Sequence, residues 1–222
     1  MFFANRCDAG RRLAAQLHPF ETHRPIVLGL PRGGIPVAYE VAHALGAPLD
    51  LLMVRKLGAP GQPELAIGAV APGIVVLDDE TIALLRVPED YVARVRVQET
   101  HALEDGLRRF RGTRPFPDVA GRTVILVDDG IATGATALAA VDAVRAHGAA
   151  RVVVAAPVAA PDAVTRLRAA ADDVVVLETP PAFQAVGYWY SDFTATTDDE
   201  VRQMLRRAHR EEDAHYHPPA TS

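Results

Sequence analysis

Fourteen residues, Thr123 to Thr136 (TVILVDDGIATGAT), constrain this chain more than any other stretch. The β-branched and apolar run Thr123 to Val127 can be buried on both faces, like a central parallel strand. It ends in two acids, Asp128 and Asp129, and a loop of small residues then opens a helix at Gly134, Ala135 and Thr136. Free backbone N–H groups at such a helix start face one way, and the positive end of the helix dipole points there too. The turn is therefore an anion site. Acids for hydroxyls beside a cradle for phosphate describe a site for a ribose 5-phosphate. A plain buried strand and polar turn accounts for the strand but not for the acids and cradle together. A signalling receiver domain also ends a strand in paired acids, but it needs a later lysine, and none follows Lys56. A nucleotide P-loop is excluded, because neither Gly-Lys-Ser nor Gly-Lys-Thr occurs.

The stretch resembles the phosphoribosyl-diphosphate (PRPP) signature of type I phosphoribosyltransferases: apolar residues, two acids, a short mixed segment and T-G-x-T. The resemblance implies that Asp128 and Asp129 hold the ribose 2- and 3-hydroxyls and, indirectly or through PRPP, a Mg²⁺. It implies that Ala132, Thr133, Gly134, Ala135 and Thr136 wrap the 5-phosphate. Gly130 stands where a larger apolar residue is usual, which is expected to loosen the turn. In overall layout the chain is most similar to bacterial proteins known as predicted phosphoribosyltransferases, with their V-D-D-G-x-A-T-G-A-T core.

A second strand–turn–helix unit lies upstream. Pro25 to Leu30 reads as a short buried strand, Pro31-Arg32-Gly33-Gly34 as a turn, and Ile35 to Leu45 as a helix stopped by Gly46. Paired glycines let backbone approach a ligand closely, and an arginine beside them is a forked donor for phosphate oxygens. The family resemblance makes this the diphosphate loop of Arg32, Gly33 and Gly34. Leu49 to Val54 reads as the next strand, delivering Arg55-Lys56 at its carboxyl end, where open α/β sheets bind ligands. Lys56 is the only lysine in the chain. Its compact ammonium does what a planar guanidinium cannot, and the resemblance sets it against the diphosphate. Asp128, Asp129, Lys56 and Arg32 form the expected catalytic set.

Gly58 to Pro63 reads as loop. Leu65 to Ala71 and Ile74 to Leu77 read as a hairpin around Pro72-Gly73, where the family has a mobile loop that closes over the reacting centre. Asp78 to Phe110 is helical in pattern, with Arg94 to Arg111 as a solvated charged face. Further strands fall at Arg151 to Ala156 and Val174 to Leu177, and helices at Gly134 to His147 and Pro161 to Ala171. Strands near residues 26, 50, 124, 152 and 174, alternating with helices, predict an α/β fold with a doubly wound five-stranded parallel sheet. A hairpin/helix insertion (58–111) and a small hood (180–195) belong to a single domain, 1–208.

The hood candidate, Phe183 to Phe193 (FQAVGYWYSDF), is similar to the base-binding hood of hypoxanthine-guanine phosphoribosyltransferases. Gln184 stands where that segment has a stacking aromatic, with Phe183 one step earlier, and Asp192 is displaced by one residue. Phe183, Gln184, Val186, Tyr188 and Asp192 are the acceptor candidates. The same aromatic segment can equally cap the core. Thr197 to Glu200 is a capping box that starts a helix to Ala208. Residues 209–222 are expected to be a flexible tail, with His215 and His217 as tail residues rather than metal ligands.

The net charge of -5 disfavours a nucleic-acid binder. A single cysteine, Cys7, rules out an internal disulfide and points to a reducing compartment. No membrane-length apolar run is present, and the first residues are too polar for a signal peptide, so the expectation is a cytoplasmic enzyme with no membrane partner. The implied reaction transfers phosphoribose from PRPP to a small ring-nitrogen acceptor, with Mg²⁺ as cofactor and a homodimer as the family's usual assembly. The alternatives are a PRPP- or nucleotide-binding regulator without turnover and a phosphoribosyl hydrolase.

Overall fold

The computed structural model describes residues 2–216. Helix α1 (Arg6–Leu17) leads to strand β1 (Ile26–Gly29), helix α2 (Gly34–Leu45) and strand β2 (Leu49–Leu51). An insertion follows: β3 (Arg55–Ala59), β4 (Gln62–Ala71), β5 (Ile74–Leu77), α3 (Asp79–Leu84) and α4 (Glu89–Arg111). The chain returns through β6 (Thr123–Val127), α5 (Ala135–Ala146), β7 (Arg151–Val158), α6 (Pro161–Ala170), β8 (Asp173–Glu178) and α7 (Asp198–Tyr216).

Five strands form one parallel sheet in the order β2-β1-β6-β7-β8, as the alternating pattern predicts. Successive side chains of a strand point to opposite faces, and here they enter two cores. Ile26, Leu28, Val124, Leu126, Val152 and Val154 pack with α5 and α6. Val27, Ile125, Val127, Val153 and Ala155 pack with α1, α2 and α7. Burial on both faces is why these strands read as unbroken apolar runs rather than as alternating ones. Each fully buried Val, Leu or Ile contributes about 1.5–3 kcal/mol.

The insertion has its own antiparallel sheet, β3-β4-β5, closed by α4, whose Leu103 packs with Leu57, Ile67 and Val70. Three expectations change here. Strand β2 covers only Leu49–Leu51, because its sole neighbour β1 ends at Gly29, opposite Leu51. Residues 58–63 are not a loop: β3 runs to Ala59, and a tight turn at Pro60-Gly61 starts β4 at Gln62. Lys56 therefore lies within an antiparallel strand, opposite Ala69, and not at a parallel strand's end. The charged face of α4 is solvated except at Glu99, 15% exposed and paired with Arg55, and at Arg111, whose side chain is 4% exposed and pairs with Asp50 at 2.9 Å.

Helix α7 starts with the expected capping box: Thr197 N–H donates to Glu200 Oε2 (2.7 Å) and Glu200 N–H to Thr197 Oγ1 (3.2 Å). It continues past Ala208 to Tyr216, so the first part of the expected tail is helix. Tyr39 Oη donates to Glu211 Oε1 at 3.0 Å and holds this extension to α2. His217 and the residues after it lie outside the described residues. Among those described, no helix is long and apolar enough to cross a membrane.

Candidate active site

Strand order positions the site. From β1 the chain crosses to β2 on one side, and from β6 it proceeds through β7 to β8 on the other. The winding reverses between β1 and β6, so the loops leaving their carboxyl ends open a crevice. These two loops carry Arg32-Gly33-Gly34 and Asp128-Asp129. They touch: Leu30 N–H donates to Val127 O at 2.8 Å. A β-carbon on Gly33 would overlap the Asp129 carboxylate, and one on Gly34 would lie 2.6 Å from Val127 O. Only glycines allow this approach.

Asp128 Oδ1 accepts the Asp129 N–H at 2.8 Å. Burial, and then the neighbouring Asp129 charge, push the Asp128 carboxyl well above the usual carboxylate range. Asp129 is held differently. Its Oδ2 accepts from Arg6 Nε at 2.7 Å, with both side chains nearly buried. Arg6 also donates to Thr194 O at 2.7 Å, and its guanidinium carbon lies 4.0 Å from the centre of the Phe193 ring. Tyr190 Oη donates to Asp129 O at 2.5 Å, and burial raises the phenol's pKa further above the pH range of the cell.

The cradle follows. Ile131 pairs with Ala159, fixing the loop against the end of β7. Thr133 Oγ1 accepts from Ala135 N–H at 3.4 Å, and Arg166 donates to Thr133 O at 2.5 Å. Leu138 N–H bonds Gly134 O, so the helix begins here and its first-turn N–H groups have no carbonyl one turn back. Ala132, Thr133 and Thr136 are exposed and Gly134 is buried.

Arg32 is exposed and reaches Asp198, at the start of α7, at 3.4 Å. Lys56 lines a cleft of about 580 Å³ between the small sheet and α5, together with Asp78, Asp142 and the cradle residue Ala135. The structure thus brings the glycines of the first loop against the acids, while the two cations stand at the margins.

The hood packs where the sequence reading expected looseness. A β-carbon on Gly130 would overlap Val186, so the glycine is what lets the hood sit on the turn. Val186 packs with Phe3, Ala9 and Tyr190. Tyr188 is exposed, as is Gln184, and Phe183 is half-buried. The Asp192 carboxylate accepts from Thr194 N–H (2.9 Å) and Oγ1 (2.7 Å), bonds that hold its pKa below the usual value and commit it to its own turn. The hood is tied to the first residues of the chain: Phe3 N–H donates to Trp189 O and Ser191 N–H to Phe3 O, each at 2.8 Å.

Arg6 and Tyr190 were not among the residues singled out from sequence. Arg6 is 123 positions from Asp129 and carries no local signature. Tyr190 lies inside the aromatic hood segment, whose composition was its only signal.

Among the described residues no three His, Cys, Asp or Glu side chains cluster to hold a metal. Mg²⁺ is commonly held by one or two carboxylates plus substrate phosphates, with waters completing the shell. Asp128 and Asp129 fit that mode and not a protein-only cage.

Fold and site together define a doubly wound α/β domain of the type I phosphoribosyltransferase fold. The chain belongs to the phosphoribosyl transferase domain family, whose profile matches residues 3–190. It is 49% identical over 210 residues to "Putative phosphoribosyl transferase Rv0571c" and to "Putative phosphoribosyl transferase MT0597", from two strains of Mycobacterium tuberculosis. Those matches cover 94% of this chain and 47% of each relative, so the chain spans about half the length of the curated relatives it matches. The crystal structure of TT1426 from Thermus thermophilus is 46% identical, with a TM-score of 0.87 over 93% of this chain and 99% of that one.

Proposed function

We propose that this domain transfers the 5-phosphoribosyl group of PRPP to a ring nitrogen of a small acceptor, releasing diphosphate. The observation that carries the proposal is the contact between Gly33 and the Asp129 carboxylate. It joins a diphosphate loop and a ribose-binding diacid at one switch point, so a single ligand can engage both. In this mechanism Asp128 and Asp129 fix the ribose hydroxyls, and the α5 cradle takes the 5-phosphate. Arg32, the backbone of Gly33 and Gly34, and Lys56 balance charge as the bond from C1 to diphosphate breaks. The sugar carbon then carries oxocarbenium character, as in glycoside cleavage. Mg²⁺, when bound with PRPP, supplies electrostatic stabilisation of the leaving diphosphate.

The hood, with Val186 against Gly130 and Phe193 against Arg6, is the proposed acceptor side. The domain is proposed to act in the cytoplasm, as a homodimer.

The test is diphosphate release from PRPP and Mg²⁺ across purines, pyrimidines, other ring-nitrogen compounds and water alone. Release dependent on one acceptor, and lost in Asp129→Asn, supports transfer and names the substrate. Equal release in every well means hydrolysis. Thermal protection by PRPP without release means a regulator.

A further inference from the structure

The acid pair lies at the carboxyl edge of the sheet, but a group of cations lies elsewhere. Helix α7, the end of α4 and the edge strand β2 enclose a pocket of about 320 Å³. Arg111, Arg114, Arg206, His209 and Arg210 line it. Its one lining carboxylate, Asp50, is already spoken for: Asp50 Oδ1 accepts Arg111 Nε at 3.1 Å, Arg111 Nη2 at 2.9 Å and the Leu51 N–H at 2.6 Å. Among the described residues Arg114, Arg206 and Arg210 have no carboxylate within ion-pair distance. Three guanidinium groups without a direct ion pair around one cavity are unexpected in a chain of net charge -5, because like charges brought together raise the free energy unless an anion joins them.

A second cavity lies beside it. Arg111 and Arg114 also line a cleft of about 660 Å³, whose walls include Leu107, Phe116, Pro117 and Val119 together with the carboxylates Glu104 and Asp118. Phe116 and His147 stand against each other with ring centres 4.9 Å apart, and Arg111 lies 5.4 Å from the Phe116 ring. His147 Nε2 is 2.9 Å from Pro72 O, which ties this wall to the tip of the β4–β5 hairpin. Residues 116–119 precede β6 and His147 follows α5, so the cleft opens at the amino edge of the sheet. The length of β6, roughly 16 Å at 3.3 Å per residue, separates it from Asp128 and Asp129.

We infer that these two neighbouring cavities form a second ligand site, for a nucleoside di- or triphosphate, distinct from the crevice that holds the acid pair. Arg114, Arg206 and Arg210 take the phosphates, since guanidinium matches phosphate oxygens in a planar, two-pronged fashion. The apolar cleft beside Phe116 takes the base, which such rings accept by stacking. Arg111 is held rigid by Asp50 and forms the wall between the two halves. The hairpin tip at Pro72 is the element through which an occupied site reaches the insertion that carries Lys56.

Isothermal titration of the purified chain with ATP, ADP and inorganic tripolyphosphate tests this, in wild type and in an R114Q/R206Q/R210Q variant. Binding of ATP by the wild type, weakened about tenfold per arginine removed, with PRPP-dependent thermal protection unchanged, is the expected result. ATP affinity equal in the two proteins, or no ATP binding by folded wild type, overturns the site. Tripolyphosphate bound as tightly as ATP overturns the base-binding half. Should the triple variant not fold, R210E alone, at an exposed arginine without an ion-pair partner among the described residues, carries the same comparison.

Discussion

Arg6 Nε lies 2.7 Å from Asp129 Oδ2, and the two side chains are only 11% and 13% exposed. The pair joins the first turn of α1 to the acid at the end of β6. It holds the Asp129 side chain in place against Gly33. Breaking it by Arg6→Ala leaves a nearly buried carboxylate uncompensated, at a cost of about 3 kcal/mol. The expected result is a lower urea midpoint and weaker PRPP binding in thermal-shift titration. Arg6→Lys restores part of the stability and less of the PRPP binding, because an ammonium lacks the fork that spans Asp129 and Thr194 O.

Gly33→Ala places a methyl group into the Asp129 carboxylate. The fold survives, since the loop is at the surface of the crevice, but the acid is displaced. PRPP-dependent protection is expected to vanish while the melting temperature without ligand falls only slightly. Unchanged protection in this variant would sink the joint site.

Gly130→Val forces the hood off its turn. Overpacking of this kind costs about 1–3 kcal/mol, and for a chain of this size each kcal/mol lowers Tm by roughly 2–4 °C. A compensating Val186→Ala in the same chain should recover most of the loss, and calorimetry of the single and double variants measures the coupling.

Asp128 has its carboxyl pKa raised by burial and by Asp129. Its protonated form is favoured by the fold, so the stability it contributes is full below the unfolded value of about 3.9. That contribution is lost as pH rises through the higher folded value. Asp128→Asn, which cannot ionise, should match the wild type in Tm below about pH 3.9 and exceed it increasingly as pH rises toward neutrality. A Tm difference that shrinks with rising pH overturns the assignment.

The sheet was legible because its determinants are local. The apolar runs at 26–29, 123–127 and 151–158 are buried on both faces, and period and composition report that directly. The acids and the turn that starts α5 were legible as local structure for the same reason, all lying within one fourteen-residue stretch. Arg6 was not, because a partner 123 residues away leaves no periodicity. Strand β3 was missed because Arg55–Ala59 has neither alternation nor β-branched residues; it is a strand only through β4 and the cover of α4. The last turns of α7 were missed because they are polar, and their anchor is the Tyr39 hydroxyl on another helix. Gly130 was read as a loosened turn because the residue that needs the space, Val186, is remote in sequence.

Phe3 is fully buried and bonded, backbone to backbone, on both sides of Tyr190. The hood is thus a clasp made from two distant stretches, and neither half can swing out by itself. Releasing it breaks backbone hydrogen bonds and bares an aromatic ring together. Any opening of the hood is therefore also a movement of the segment around Phe3, and the two shift as one unit.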